Sequence, residues 1–296
     1  MQVFQSGLDA MLDQQTRLFK TQLQLSTGKK FTSPADDPTA AAQVMGFNET
    51  LAITGQYQSN ITAAKARLDL EDVALESAVN VLQRTRELTV RGLNDSLGAE
   101  GRRAVAQEVR QLMDEMQAVA NMQDGNGDYM FAGYRVQSAP FSNNGAGTFS
   151  YAGDQGQRQL QIGPGRQVAD SDSGLDVFMK VADPAGGYQD VFSMLYGLAT
   201  DLEANAPQLA SLGEIDNAME HMLQVRARVG ARLNTIDDQE QANNYLEIQI
   251  SSVRSTVEDI DIADVYSRLQ QQTLVLQAAQ QAFAKVEGMS LFNYLR

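Results

Sequence analysis

The stretch LSTGKKFTSPADDP, residues 25–38, decides how the N-terminal part of the chain folds. Gly28 predicts the end of a helix, because glycine readily adopts the left-handed conformation that closes many helices. Two lysines follow it and favour the negative end of the helix dipole. An extended turn then leads to Asp36 and Asp37, which predict an acidic N-terminal cap. The stretch therefore predicts two helices joined by a short, ordered turn.

Apolar residues before this stretch repeat with the four- and three-residue spacing of a coiled-coil seam. They are Phe4, Leu8, Met11, Leu18 and Leu25, and the remaining seam positions are Gln15 and Gln22. The C-terminal end carries a matching stripe that Gln272 interrupts: Val265, Leu269, Leu276, Ala279, Phe283 and Val286. We predict that Phe4 to Leu25 lies antiparallel to Val265 to Val286. Because both stripes are interrupted, the pair should gain stability by bundling with neighbouring copies. Periodicity alone leaves a monomeric coiled-coil hairpin equally open.

Four longer runs downstream of the turn keep the same spacing, at residues 57–82, 105–119, 212–236 and 246–260. The first run has one polar member, Glu71. We predict that the helices of residues 47–122 pack with those of residues 208–260. The stripe loses its register at residues 259–264, and such a break is typical of a change of partner or a domain boundary. If the helix from Leu246 continues to about Phe292, it would span roughly 70 Å.

A segment rich in glycine and aromatic residues separates the two helical regions. Residues 125–197 hold more than half of the 23 glycines and half of the Phe and Tyr residues, a composition typical of short strands and turns. Residues 148–151, 158–162 and 167–168 predict a small antiparallel meander. From Asp170 to Glu220 the only base is Lys180, which indicates a solvated anionic face. If assembly runs through the terminal and flanking helices, the segment from about Arg135 to Tyr188 is expected to face solvent on the outside of the assembly, and its anionic character fits this position.

The predicted fold is mainly α with a β-rich insert. Long antiparallel helices from both termini form coiled-coil or bundle domains in an elongated molecule, and a small antiparallel β domain occupies the middle of the chain. We expect three domains: a terminal coiled coil of residues 1–30 with 262–296, a helical bundle of residues 31–134 with 189–261, and a β-rich outer domain of residues 135–188.

Composition disfavours several classes of function. The formal charge of −14 at pH 7 repels nucleic acid and anionic lipid, so no nucleic-acid or membrane partner is expected. The chain has no cysteine and one histidine, which removes thiolate chemistry and gives little support to a histidine-based site. The opening MQVFQSGLDAML is unlike a cleaved secretory signal, and no stretch approaches 18 uninterrupted apolar residues.

Motifs that would carry catalysis are missing or incomplete. No nucleophile elbow, phosphate loop or dinucleotide-binding pattern occurs. Residues 170–176 and 124–128 resemble the start of a calcium loop but place Val181 and Arg135 at the twelfth ligand position, so a solvated acidic turn is favoured. His221 is interpreted as a helix-surface or boundary residue. We therefore predict no catalytic, cofactor-binding or metal-binding residues, although paired carboxylates for glycoside hydrolysis stay open.

Residues 25–38 also resemble the N-terminal signature of bacterial flagellins and their relatives. LQRTRELTV, residues 82–90, resembles a packing motif of that family, and VRSTVEDI, residues 253–260, resembles its C-terminal counterpart. GNGDYMFAGY, residues 125–134, resembles a stretch found in the family members that lie at the junction between hook and filament. The closing MSLFNYL resembles the C-terminus of the same members. The signature residues within GNGDYMFAGY are Gly127, Tyr129, Phe131 and Gly133.

This resemblance implies a non-enzymatic structural subunit, exported by the flagellar type III apparatus, that forms a ring between hook-associated protein 1 and the flagellin filament. It implies self-association, a cytoplasmic export chaperone, and a location outside the cell at the hook-filament junction after a transient cytoplasmic stage. Two alternatives stay open: a minor or divergent flagellin that forms filament itself, and a secreted hydrolase on a flagellin-like frame.

The resemblance and the stripes together place the expected contacts. The assembly interface is expected at Phe4, Leu8, Met11, Leu18, Leu25, Arg84, Arg86, Glu87, Leu269, Leu276 and Phe283. The chaperone is expected to bind Leu276, Phe283, Leu291 and Phe292.

Overall fold

The computed structural model describes residues 2–145, 147–184 and 186–294, with side chains described from residue 5 to residue 285 within those ranges. The helices are α1 (Gln2–Thr27), α2 (Pro38–Gly92), α3 (Ala99–Ala120), α4 (Gly174–Phe178), α5 (Val191–Glu203), α6 (Ala210–Glu258) and α7 (Ile262–Tyr294). The strands are β1 (Phe141–Asn143), β2 (Phe149–Tyr151), β3 (Gln159–Gly163), β4 (Arg166–Ala169), β5 (Val181–Ala182) and β6 (Tyr188–Gln189). The predicted class, mainly α with small strand pairs in the middle, is confirmed. The side chains of Phe4, Val286, Leu291 and Phe292 lie outside the described residues.

The contacts divide the chain into two compact units. Unit 1 contains the residues up to 54 together with those from 245 onward, and unit 2 contains residues 55–244. The seam of α2 becomes polar at Thr54 and Gln58, close to this boundary. The division into three domains that the sequence suggests stays a prediction.

The turn between α1 and α2, in unit 1, forms as the sequence predicts. Gly28 ends α1 with a φ of +72°. Asp37 caps α2, because its carboxylate accepts a hydrogen bond from the N–H of Ala40 at 2.9 Å. Asp36 holds the turn to α1, since Lys20 donates to its carboxylate at 2.7 Å. That hydrogen bond also lowers the pKa of the Asp36 carboxyl.

A second turn interrupts the C-terminal helical region where the sequence loses its register, so the condition of one continuous helix from Leu246 to about Phe292 is not met. Helix α6 ends at Glu258. Asp261 then caps α7 by accepting a hydrogen bond from the N–H of Ala263 at 2.9 Å. The break falls where the apolar register is lost, because no regular seam is available there to hold a continuous helix.

The two turns of unit 1 pair with each other, and we call residues 28–30 with 258–260 the clasp. Lys29 and Asp259 face each other in an antiparallel bridge, and backbone hydrogen bonds of 2.7 and 3.0 Å flank this pair. The ammonium group of Lys29 also pairs with the carboxylate of Glu258. Backbone groups that the interrupted helices leave unpaired are therefore satisfied across the clasp.

Helices α1 and α7 lie antiparallel, as predicted. Gln14 donates to the carbonyl oxygen of Gln272 at 3.3 Å, and the Phe283 ring lies 3.6 Å from the position that a Cβ on Gly7 would take. The face of α1 that is at least half-buried runs through Gly7, Met11, Gln14, Leu18, Thr21 and Leu25. The predicted seam is therefore right at residues 11, 18 and 25 but wrong at the exposed Leu8, Gln15 and Gln22. The seam passes through glycine and not leucine because the Phe283 ring occupies the space beside Gly7.

The long stripe on α2 forms the core of unit 2. From Ile61 to Leu82 its apolar members are at most 1% exposed, and Glu71 is fully buried among them, whereas Tyr57 at the start of the stripe is half-buried. Helix α6 runs antiparallel to α2, since Lys65 pairs with Asp237 at 2.6 Å and Arg226 with Asp72 at 2.7 Å. Helix α3 packs against α5. The predicted association of the helices of residues 47–122 with those of 208–260 is confirmed within unit 2.

The strands form three separate antiparallel pairs, β1 with β2, β3 with β4, and β5 with β6. The predicted single meander is therefore wrong. Each strand has at most five residues, and each pair joins neighbours in the chain. Short strands of this kind cannot stand alone, so they need the helices as a packing surface.

The aromatic residues of the middle segment complete the core of unit 2. Phe141, Phe149 and Phe178 are at most 6% exposed, and they belong to one buried cluster with apolar residues of α2, α3, α5 and α6. The Phe141 and Phe192 rings lie 5.2 Å apart. These aromatic residues of the insert therefore pack inward against the helices, and the expectation that residues 135–188 face solvent on the outside of the assembly stays a prediction.

Candidate assembly surfaces

The terminal helix pair contains most of the predicted assembly residues. Those on the half-buried faces of α1 and α7 are Met11, Leu18, Leu25, Leu269, Leu276 and Phe283. Leu8 points away from this seam and is 38% exposed. The seam residues thus pack within one chain, and part of their surface stays accessible.

A second apolar face, on α1, was missed by the sequence analysis. On α1 it consists of Leu8, Leu12, Phe19 and Leu23, and Phe19 is 66% exposed. On α7, Ile262, Tyr266, Leu274 and Val275 are more than half exposed. Leu8, Leu12, Phe19 and Leu23 recur at helical spacing on α1, so this second stripe was readable once the first seam was assigned correctly. An apolar face of this kind marks an interaction surface.

The predicted assembly residues Arg84, Arg86 and Glu87 are placed on α2 in unit 2 and are exposed. Arg84 pairs with Glu87 at 2.8 Å and with Glu108 of α3 at 2.6 Å. Arg86 pairs with Asp216 of α6 at 2.7 Å. These side chains link α2 to its neighbours, and their role in contacts between subunits stays a prediction.

The signature residues lie in a loop, residues 124–134, that follows α3, and we call it the signature loop. The Asp124 carboxylate accepts hydrogen bonds from the N–H groups of Asn126 at 2.8 Å and Asp128 at 3.1 Å. Arg67 of α2 donates to the same carboxylate at 2.8 Å, and these two side chains are 7% and 11% exposed. Arg67 also donates to the Tyr129 carbonyl at 3.3 Å. The ion pair therefore locks the signature loop onto α2.

The signature glycines and Phe131 each have a structural role. Gly127 and Gly133 adopt φ values of +84° and +69°, which other residues rarely adopt. A Cβ on Gly133 would lie only 2.5 Å from the carbonyl oxygen of Asp154. Phe131 is fully buried, and its ring meets Phe178 edge-on at 5.1 Å. The signature thus specifies how the loop docks on the core.

The acidic residues after β4 are buried, so the prediction of a solvated acidic turn at residues 170–176 is wrong for its first half. Residues 170–173 are at most 7% exposed. Asp170 pairs with Arg158, and Asp172 pairs with Arg232 of α6. Arg158, whose side chain is 53% exposed, and Arg232, which lies 60 residues from Asp172 in the sequence, neutralise these acids.

His221 lies at a boundary between elements, as predicted. It is half-buried and donates from Nε2 to the carbonyl oxygen of Asp176 at 2.8 Å. The groove beside it has a volume of about 600 Å³ and is lined by Lys180, Tyr188 and Arg228 among others. Across the described side chains, no three His, Cys, Asp or Glu residues converge as they would around a metal ion. In the same part of the chain, no helix combines the length and apolar character needed to cross a bilayer.

Comparisons with known proteins place this fold in a family. The model of the bacterial flagellin N-terminal helical region matches residues 4–136, and that of the bacterial flagellin C-terminal helical region matches residues 212–295. The flagellar hook-associated protein 3 of Escherichia coli K12 is 29% identical over 98% of this chain and 97% of its own length. The protein of the same name from Salmonella typhimurium is 27% identical over 99% of this chain and 98% of its own length.

A solved structure has the same fold. The crystal structure of flagellar hook-associated protein 3 from Legionella pneumophila aligns with a TM-score of 0.65 at 22% identity, and covers 72% of this chain and 98% of that chain. The two flagellin family models together match well over half of the present chain. The chain therefore belongs to the bacterial flagellin family.

Proposed function

We propose that this chain is a structural subunit of the bacterial flagellum that forms the junction between the hook and the flagellin filament. The observation that carries the proposal is similarity over nearly the full length of two proteins named hook-associated protein 3. This similarity includes the middle segment, where the flagellin family models have no match. The structure supports the proposal because the signature loop specifies the docking of that middle segment.

The proposed role of the chain is structural, through packing with neighbouring subunits, and not catalytic. Membership in a family of flagellar structural proteins supports this, and so does the use of charged side chains inside unit 2. The buried acids Asp124, Asp170 and Asp172 each pair with an arginine. Acids that are neutralised in this way have a structural use inside the scaffold, and they leave no free carboxylate at those positions for acid-base chemistry.

Self-association is proposed to run through the terminal helices. The apolar face of Leu8, Leu12, Phe19 and Leu23 on α1 is exposed in the single chain. A neighbouring copy would bury this face and the accessible part of the α1–α7 seam, which gives a favourable transfer free energy. The resulting ring would contact hook-associated protein 1 on one side and flagellin on the other, outside the cell.

Before assembly, a cytoplasmic export chaperone is proposed to cover α7. Leu276 and Phe283 are half-buried against α1 in the folded chain, so a chaperone that binds them would keep α7 apart from α1. The side chains of Leu291 and Phe292, its other proposed contacts, lie outside the described residues. The chaperoned chain would then leave the cytoplasm through the flagellar type III apparatus.

A complementation experiment tests the junction role. Electron microscopy of a strain that lacks the gene should show bare hooks, with flagellin lost to the medium, and the wild-type chain should restore filaments. Normal filaments in the deletion strain would contradict the proposal.

The assembly surface is tested in the same strain. Leu269→Asp combined with Leu276→Asp should leave unit 2 folded, as judged by near-ultraviolet circular dichroism, but should stop incorporation, because two charges would be buried unpaired. Gln271→Asp with Gln277→Asp, on exposed positions of the same helix, is the matched control and should retain more incorporation. Equal loss in both double variants would show that added charge alone blocks assembly and that the seam has no special role.

A further inference from the structure

A buried group of three charged residues joins the middle segment to the helices of unit 2. Glu71 projects from α2, Asp172 lies in the buried segment after β4, and Arg232 projects from α6. Glu71 is fully buried, and Asp172 is 7% exposed. The N–H of Asp172 donates to Glu71 Oε1 at 3.1 Å, and Arg232 pairs with the Asp172 carboxylate. Three parts of the chain thus meet at these side chains.

The hydrogen bonding of the group is incomplete. Within the described residues, Glu71 Oε2 and Arg232 Nε are buried without a hydrogen-bond partner. Arg232 also donates to the carbonyl oxygen of Ala169 at 3.4 Å, and Gln157 donates to the Asp172 carboxylate at 2.9 Å. These side-chain hydrogen bonds of Arg232 and Gln157 go to Asp172 or to the backbone beside it, and none of them goes to Glu71.

The charges of the group balance only when one carboxyl is protonated. With Glu71 neutral, the single negative charge of Asp172 faces the single positive charge of Arg232. With Glu71 ionised, two carboxylates share one guanidinium in a site that excludes water, which is costly. The neighbouring cations are already committed, Arg67 to Asp124 and Arg158 to Asp170.

We propose that Glu71, Asp172 and Arg232 form a proton-dependent latch that fastens residues 169–173 to α2 and α6. The latch is closed when Glu71 carries a proton, and it weakens when Glu71 ionises. Unit 2 is then less stable in alkaline than in mildly acidic surroundings. This goes beyond the proposed junction role and does not depend on it.

The electrostatics of Glu71 set the pH range of the latch. Burial is the main cause that raises the pKa of its carboxyl, and the charge of Asp172 raises it further, whereas Arg232 lowers it. The resulting pKa is about 8, against an ordinary value of 4.5. Between these values the unfolded chain has lost the proton while the folded chain keeps it. Raising the pH therefore favours unfolding across this range, and the effect is complete above about pH 8.

The test is urea unfolding of the full chain between pH 5 and pH 9, followed by near-ultraviolet circular dichroism. For wild type, the unfolding constant of unit 2 should rise about tenfold per pH unit relative to Glu71→Gln until the pH reaches the folded pKa. Asp69→Asn, an exposed acid on the same helix, is the matched control and should follow the wild-type curve. Parallel curves for wild type and Glu71→Gln would overturn the proposal.

Two further measurements keep the proposal testable if Glu71→Gln does not fold. A carbon-13 NMR titration of the Glu71 carboxyl in the wild-type chain should show a midpoint well above that of an ordinary glutamate, and an ordinary midpoint would overturn the latch. Asp172→Asn should move this midpoint to lower pH, because Glu71 would then face Arg232 without a competing carboxylate. An unmoved midpoint would remove Asp172 from the latch and overturn the three-residue assignment.

Discussion

Three glycines of the signature loop differ in the two properties that decide what an added side chain costs: the sign of φ and the space at the Cβ position. Gly125 lies in open space without a positive φ, Gly127 has a positive φ in open space, and Gly133 has a positive φ and a crowded surrounding. A Cβ on Gly133 would lie 2.2 Å from Asp154 Oδ1 and 2.5 Å from the backbone oxygen of the same residue. Replacing each glycine in turn with alanine therefore adds one cost at a time.

The magnitudes follow from these surroundings. Gly125→Ala should change the free energy of unfolding by less than about 0.5 kcal/mol, because exposed positions without special backbone geometry tolerate substitution. Gly127→Ala should cost about 1 kcal/mol, since alanine is strained in the left-handed region. Gly133→Ala should cost about 2–4 kcal/mol, because overpacking against a backbone oxygen adds about 1–3 kcal/mol to the same strain.

Urea unfolding of the three variants beside the wild-type chain measures these differences, and near-ultraviolet circular dichroism reports mainly on unit 2, which contains most of the tyrosines. The expected order of stability is Gly125→Ala, then Gly127→Ala, then Gly133→Ala. If Gly133→Ala and Gly127→Ala agree within about 0.5 kcal/mol, the contact with Asp154 is not a constraint, and the account of the signature as a docking loop is refuted.

Other perturbations test other parts of the fold. Arg67→Met should destabilise unit 2 by about 3 kcal/mol in urea unfolding, because it leaves a buried carboxylate unpaired, whereas Arg84→Met, at an exposed ion pair, should cost less than about 1 kcal/mol. Gln272→Leu should slow amide exchange in α1 and α7. The Gln272 side chain has a buried oxygen without a hydrogen-bond partner, and an apolar side chain removes that cost. Unchanged exchange would argue against the seam. Cysteines at Lys29 and Asp259 should form a disulfide on oxidation, which mass spectrometry detects without interference because the chain has no other cysteine; failure to crosslink would contradict the clasp.

Local patterns in the sequence predicted the helical framework well. Gly28 and Asp37 act on neighbouring backbone groups, so their roles in ending α1 and capping α2 could be read from residues 25–38 alone. The stripe on α2 was equally readable, because each member repeats the same position on one helix face. The stripe even marked Glu71 as its one polar member, and that residue is fully buried in the fold.

Features that depend on distant partners could not be predicted in this way. The acids at residues 170–172 resembled a solvated turn because Arg232, which neutralises Asp172, lies 60 residues away in the sequence. The seam of α1 was shifted at Leu8 because the Phe283 ring, at the other end of the chain, packs beside Gly7. A hydrophobic pattern ranks leucine above glycine, but packing between two helices depends on the shape of both partners.

The α2 stripe of unit 2 and the α1–α7 seam differ in burial, which gives a physical reason why unit 2 and the terminal helices have different roles. In unit 2, residues such as Leu68 and Leu75 are fully buried, and each contributes about 2 kcal/mol of transfer free energy within one chain. On the terminal helices, Leu269 and Leu276 are only half-buried, and Phe19 is 66% exposed, so much of that free energy is available only through contact with another chain. We therefore expect unit 2 to be stable as a monomer and the α1–α7 pair to reach full stability only in the proposed assembly. Gln272, which leaves a buried oxygen without a hydrogen-bond partner in the seam, would then keep the pair from packing permanently before it reaches its neighbours.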